Sequence, residues 1–412
     1  MLTNKTPHPA FSYLIFLGCS IAFCSTPFDS HLGRDIFYIS SYIALLSFII
    51  NFKFYTKDCK KLILPALFLL AGLASVLWVA YYKQPGDYIN IYRAYTSSGK
   101  LQIATAFILA IALNNRINIR ENLTSIVILA GIAMNAYAIY QGIWLNAERV
   151  ELNFDRATAA AYIITAINLV VMYAVLTLKN RYRFYIYAIA FLLTYASIIL
   201  TATRSAMLVY PIALGMSILI NKDSLSFKNK ITLSLSLVAI FTLCFFIFKN
   251  EITQRINDFK IDLQLSDQPQ RENSIISRLS MQKVGMQAGN IAPLGQSAEH
   301  RATEITAMVN QNPLLSGVLP YLTVHMHNEL IETYSIKGAW GVVILLALYI
   351  GLICYSFSYG RNPALFSVAL TLFAYGCSDV LFFSSEATIV FCLAIIFSIL
   401  ICKKVDKTGI QP

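Results

Sequence analysis

A dozen apolar runs constrain this chain more than any other feature. They fall at about 11–28, 36–52, 62–81, 101–114, 123–146, 157–178, 184–201, 205–221, 231–248, 338–357, 362–381 and 386–402. They lack a polar face over lengths that match the roughly 20 residues an α-helix needs to cross a bilayer. A large soluble enzyme would show amphipathic periodicity instead. Composition agrees, with 57% of residues hydrophobic and 13% charged, against roughly 25% charged in soluble domains. The predicted fold class is therefore all-α: a polytopic membrane protein of about twelve transmembrane helices with one large helical loop. The opening stretch "MLTNKTPHPAFSYLIFLGCSIAFCSTPF" has no small-residue cleavage site behind its apolar segment and reads as a retained first span.

The basic residues of the short connections assign the sides. Seventeen lie on one side: Lys5; Lys53, Lys57, Lys60 and Lys61; Arg116 and Arg120; Lys179, Arg181 and Arg183; Lys222, Lys228 and Lys230; Arg361; and Lys403, Lys404 and Lys407. Seven lie on the other: Arg34, Lys83, Arg93, Lys100, Arg149, Arg156 and Arg204. The alternation is strict and predicts that both termini are cytoplasmic. The net charge of +11 is then mostly a topology signal, and no nucleic-acid footprint stands apart from the loops. Eight cysteines without a CxxC pair indicate neither a zinc site nor a disulfide framework.

Three parts follow: residues 1–248 with nine spans, residues 249–337 as an outward loop, and residues 338–412 with three spans and a cytoplasmic tail. The loop shows helical stripes at Ile252, Ile256, Phe259 and Leu263, at Ile275, Ile276, Leu279 and Val284, and at Ile305, Met308 and Val309. It is predicted to be structured and to rest on the outer leaflet. A loop of this length with periodic content is more often functional than a linker.

Candidate chemistry gathers at the outward face. Arg204, in "LTATRSAML", sits at a tight turn between two spans. It reads either as an interfacial arginine meeting lipid phosphates or as a fork of donors for a substrate phosphate. Arg278, in "ENSIISRLSMQKVG", reads either as a solvated charge or as a second phosphate ligand. In "YLTVHMHNELIETYSIKGAWG" a helix over 324–337 would align Val324, His327, Ile331 and Tyr334 on one face and turn His325 about 200° away. Only one of the two histidines would then share a site. A metal site would need an extended strand and a third ligand such as His300 or Glu304. Glu329 and Glu332 would fall in the first turns, where the helix's positive end suits them and favours a neutral imidazole. Asp379, in "GCSDVLFFSSEA", can orient a histidine or an arginine, or cap an interface.

Several classes are disfavoured. No Asp-x-Asp or Glu-x-Asp pair offers the carboxylates of a metal–diphosphate site. No G-x-x-x-x-G-K-[ST] motif implies ATP-driven transport. Ionisable residues within spans are nearly absent, which weakens a proton-coupled transporter.

The elements "TATRSA", "SRLSMQKVG" and "VHMHNELIETYSIKGAWG", with twelve spans and a large loop before span ten, resemble the O-antigen ligases of Gram-negative bacteria, enterobacterial type. The element at His327, Asn328, Leu330 and Gly338 is the most specific piece. O-antigen polymerases and protein O-oligosaccharyltransferases share its general form. The resemblance implies a fold similar to the C-type membrane glycosyltransferases. It also implies transfer of O-antigen from undecaprenyl diphosphate to lipid A-core at the periplasmic leaflet of the inner membrane, inverting and without metal, nucleotide or other cofactor. By the same resemblance His327 is the catalytic residue and Arg204 and Arg278 hold the donor diphosphate. Asn328, Glu329, Asp379 and Arg156 are supporting candidates.

Overall fold

The computed structural model describes residues 6–114, 117–221, 225–264, 274–358 and 361–402. Among the topology-setting basic residues, Lys5, Arg116, Lys222, Lys403, Lys404 and Lys407 lie outside them. The described residues are helical with no strand. In chain order the helices are α1 Pro9–Ser25, α2 Ser30–Ile50, α3 Phe52–Tyr55, α4 Cys59–Tyr82, α5 Ile89–Leu113, α6 Arg120–Ile139, α7 Ala157–Leu176 and α8 Arg183–Leu200. They continue as α9 Arg204–Ile220, α10 Phe227–Ile247, α11 Lys249–Gln264, α12 Ser274–Ile291, α13 Ala298–Gln311, α14 Glu329–Ser358, α15 Pro363–Gly376 and α16 Ser385–Ile401.

Eight of these helices are long and apolar enough to cross a membrane, and α1, α9, α15 and α16 are shorter apolar helices. Together they match the twelve predicted spans one for one. The chain is a multi-pass membrane protein. Span four differs most: predicted at 101–114, it runs from Ile89 as α5. Its first three turns carry Tyr92, Tyr95, Ser97, Ser98 and Lys100, which mask the helix in a hydropathy reading.

Two devices pack the bundle. Helix α7 is buried along almost its whole length and carries Asn168, which exchanges hydrogen bonds with Asn135 of α6; Asn135 also donates to Thr194 of α8. With apolar side chains on both sides of a lipid-facing helix, such polar contacts and close backbone approach supply specificity. The α4–α5 pair uses the second device. A Cβ on Gly72 would lie 2.6 Å from the Gly99 carbonyl oxygen, and one on Gly99 would lie 2.9 Å from that of Gly72.

Six connections meet at one end of the bundle, and hydrogen bonds join them. Val150 N–H donates to Leu200 O, Asn153 to Phe28 O, and Asn328 to Cys377 O. Above α4 and α5, Trp78 Nε1 donates to Gln296 O and the Tyr82 hydroxyl to Gly295 O. The segment between α12 and α13 is thereby moored to the bundle. Helices α12 and α13 and the 3-10 turn Pro313–Tyr321 build a small core of their own, around Met281, Val284, Ile305, Val318 and Met326.

That core keeps Val284 of the predicted stripe on α12 and drops Leu279. Ser277, Ser280, Met281, Val284 and Ala288 are buried, whereas Leu279 is 59% exposed. Packing against Pro313–Tyr321 and α14 selected a face that includes serines and glycines. On α13 the predicted Ile305 and Val309 are buried, with Met308 at the edge.

Helix α14 is broken at Gly338, whose φ is 71° and ψ −164°. A side chain there would meet Pro293 O at 2.2 Å. Gln296 N–H donates to Ile336 O and Ala339 N–H to Pro293 O across the break. The predicted span start at 338 is this break. The turns before it belong to the polar end of the molecule.

Candidate functional site

The predicted helix over 324–337 does not form in its first turn. His327 has φ 46°, a left-handed backbone that costs a non-glycine residue of order 1–2 kcal/mol, so α14 begins only at Glu329. Asn328 caps it: its Oδ1 accepts from Leu330 N–H and Ile331 N–H, both at 3.1 Å, while its Nδ2 donates to Cys377 O at 3.0 Å. One residue thus fixes the start of α14 and ties it to the turn after α15.

This geometry overturns the separation of the two histidines. Their rings lie 4.4 Å apart between centroids. His327 Nδ1 is 3.2 Å from Asp379 Oδ1, and His325 Nε2 is 3.6 Å from the same oxygen. The assumed helical phase failed because His327 itself is left-handed and both histidines precede the helix. Ile331 and Tyr334, expected beside His327, instead pack on Gly285 and Gly289 of α12, with the Tyr334 hydroxyl donating to Asn290 Oδ1.

Hydrogen bonding sets the tautomers. His327 N–H donates to His325 Nδ1 at 3.2 Å, so neutral His325 carries its proton on Nε2, facing Asp379. Asp379 Oδ1 accepts from Val380 N–H at 2.9 Å and, as an acceptor, places the His327 proton on Nδ1. His327 Nε2 is left with its lone pair, and the side chain is 18% exposed. Burial holds the His325 imidazole down to about 4 against the pull of the carboxylate. Burial alone would raise the Asp379 carboxyl, but the His327 hydrogen bond and the neighbouring imidazoles bring it down to about 2. With His325 neutral at pH 7, His327 is the effective partner.

Beneath this group, four buried charges brace the segment. Glu329 accepts from the N–H groups of Leu381 and Phe382 and from the Tyr349 hydroxyl, so it fixes the turn that carries Asp379. Glu332 Oε2 accepts from Arg301 at 2.8 Å and from Met326 N–H at 2.9 Å, holding the histidine strand from below. Arg301 and Glu332 are both 0% exposed, and removing one partner of such a pair costs about 3–5 kcal/mol. Lys337 donates to Ser75 and stands 4.2 Å over the Tyr95 ring.

A cleft of about 50 Å³ opens between α7 and the 377–384 turn, lined among others by Arg156, Tyr162, His325, Asp379 and Phe383. Arg156 immediately precedes α7. The Tyr162 hydroxyl lies 3.5 Å from Ser205 Oγ, and the charges of Asp379 and Arg278 act on it. Arg204, next to Ser205, forms an ion pair with Asp258 of α11 at 3.9 Å. Arg278 is exposed on α12.

Of the sequence candidates, His327 and Asp379 are in direct contact, and Arg156 lines a cleft with Asp379. Asn328 and Glu329 hold the two strands together. Arg204 adjoins Ser205, which contacts Tyr162, and pairs with Asp258; Arg278 acts on Tyr162 through its charge alone. Sequence reasoning missed Tyr162 and His325. Nothing marks a tyrosine within an apolar span, but Asn328 followed by Glu329 and Glu332 is a helix-start signal that places His325 outside the helix. His325, His327 and Asp379 also bring three donor atoms within 4.8 Å of one another, a spacing at which they can ligate one ion.

A multi-pass helical bundle with a histidine–carboxylate pair and arginines at one end is the class that fold and site define. Residues 188–346, which contain Arg204, Arg278, His325 and His327, match the family described as O-Antigen ligase. The sequence is 28% identical over 397 residues to the O-antigen ligase of Escherichia coli strain K12, an alignment covering 94% of this chain and 92% of that protein. Both findings bear out the resemblance read from the sequence.

Proposed function

We propose that this protein is an O-antigen ligase, a glycosyltransferase that moves O-antigen from a lipid diphosphate, undecaprenyl diphosphate, to lipid A-core. The reaction takes place at the periplasmic face of the inner membrane, with both termini cytoplasmic. The contact between His327 Nδ1 and Asp379 Oδ1 carries this reading, because it leaves Nε2 able to accept a proton. His327 takes the proton of the acceptor hydroxyl, whose oxygen attacks the anomeric carbon. The carbon–oxygen bond to the diphosphate breaks, and the leaving group keeps the electron pair. Arg156, Arg204 and Arg278 supply the fixed positive charge that the developing diphosphate requires. The sugar–diphosphate bond stores the free energy, so no ATP is needed.

The test is His327→Ala examined by lipopolysaccharide gel. A ligase defect leaves core without O-antigen and accumulates intact lipid-linked polymer. Core capped with single repeats indicates a polymerase, and unchanged glycan chains remove the catalytic role. Failure of the purified wild-type protein to join purified donor and acceptor indicates a transporter. The spacing of His325, His327 and Asp379 favours a second reading, with a divalent cation as Lewis acid. On the metal-independent reading, dialysis against EDTA leaves the ligation rate unchanged; loss of rate, restored by a divalent metal, favours the second.

A further inference from the structure

A larger cavity, of about 600 Å³, lies between α2 and α5, away from the histidine site. Arg34, Lys83, Arg93 and Lys100 line it, with Leu45, Ile103 and Phe107 among its apolar residues. No carboxylate lines it. Asp35 stands 4.0 Å from Arg34, and among the described residues Lys83, Arg93 and Lys100 have no carboxylate partner.

The cations are ordered along the membrane normal. Arg93 and Lys100 are seven residues apart on one face of α5, about 10 Å of helix rise, and Ile103 and Phe107 continue that face away from the loop end. On α2 the sequence Arg34, Tyr38 and Leu45 repeats the gradient. Lys100 is the twelfth residue of a 25-residue helix. A lysine within a membrane-spanning helix is costly where it faces lipid, and this one lines the groove. The groove is thus cationic at the loop end and apolar toward the membrane interior, the polarity of a lipid whose phosphate sits at the bilayer surface. Its volume falls within the roughly 300–1,000 Å³ of small-molecule sites.

The connection that precedes α2 is tied to the one that precedes α7. Asn153 donates to Phe28 O, just ahead of α2, and accepts from the Tyr137 hydroxyl. The same connection ends at Arg156. The donor-side arginine Arg204 faces α11 instead.

We propose that this groove binds the phosphorylated lipid end of the acceptor, so that acceptor and lipid-linked donor approach the histidine from different faces of the bundle. The assignment to the acceptor rests on the ligase reading; the binding of a phosphorylated lipid does not. The full chain in detergent is titrated with phosphorylated lipid A-core, and bound lipid is counted by native mass spectrometry. Arg93→Gln/Lys100→Gln weakens retention at least tenfold, whereas Arg93→Lys/Lys100→Arg restores it. Enzymatically dephosphorylated lipid A-core binds both forms equally weakly. In ligation the glutamine pair raises the acceptor KM at least tenfold and leaves kcat and the donor KM within twofold. His327→Ala binds the lipid as wild type, so the binding result stands even if ligation fails. Wild-type retention by the glutamine pair, or by the dephosphorylated lipid, overturns the site. Equal competition by phosphatidylglycerol overturns the acceptor assignment, and displacement by millimolar inorganic phosphate reduces it to a plain anion site.

Discussion

Replacing Asp379 by Asn tests the chemistry most directly. The asparagine keeps an oxygen for Val380 N–H and preserves the shape of the turn, but it removes the charge facing His327. The carboxyl falls from 3.8 to about 2 in the fold. At about 1.36 kcal/mol per unit this corresponds to about 2–3 kcal/mol of net attraction to its partners. On the proposed mechanism part of that attraction is realised when His327 takes the acceptor proton and the carboxylate faces the new positive charge. Its loss lowers kcat by up to roughly 30- to 150-fold, and by more if the new amide N–H reverses the His327 tautomer, as in the serine-protease precedent. The substitution leaves Arg156, Arg204 and Arg278 in place, so both KM values stay within about threefold of wild type. The assay is steady-state ligation with purified donor and acceptor in detergent. A variant retaining more than half of kcat, or one losing only donor affinity, refutes the catalytic role of the pairing.

Two further outcomes follow from the surroundings. Gly338→Ala forces a Cβ against Pro293 O in a left-handed backbone and costs more than about 3 kcal/mol. Gel filtration and thermal melting will show little folded protein, and near-normal melting would contradict the account of the break. His325 is 3% exposed, and its imidazole falls from 6.5 to about 4. The unfolded chain therefore binds the proton first as pH falls, and stability declines between about pH 6.5 and 4 by up to about 3 kcal/mol. Melting temperatures of wild type should fall more steeply over that window than those of His325→Gln; parallel curves would contradict it.

The spans were legible because lipid solvent leaves one strong signal, a long apolar run, and twelve such runs became twelve helices. The outer half of α5 was not, since Tyr92, Tyr95 and Lys100 answer to the loop and the groove rather than to lipid. His327 could be singled out through the family resemblance, and Asp379 as a residue that can orient a histidine or an arginine. Their pairing could not, because it depends on one left-handed residue and on two segments about fifty positions apart. The buried Arg301–Glu332 pair was equally invisible, since a charged residue in an amphipathic loop reads as solvated until a neighbour covers it.

The break at Gly338 separates two mechanical regimes. At the break, Ile336 before it and Ala339 after it are pinned to the 292–296 segment, and that segment is pinned to Trp78 and Tyr82. Below it, α14 is an apolar rod in contact with α4 and α15. Bilayers differ in thickness, and spans answer by tilting. A rod that pivots at a glycine can tilt while the histidine strand stays referenced to the loop scaffold, and the hydrogen bond from Tyr349 to Glu329 is a link through which membrane thickness reaches the turn that carries Asp379.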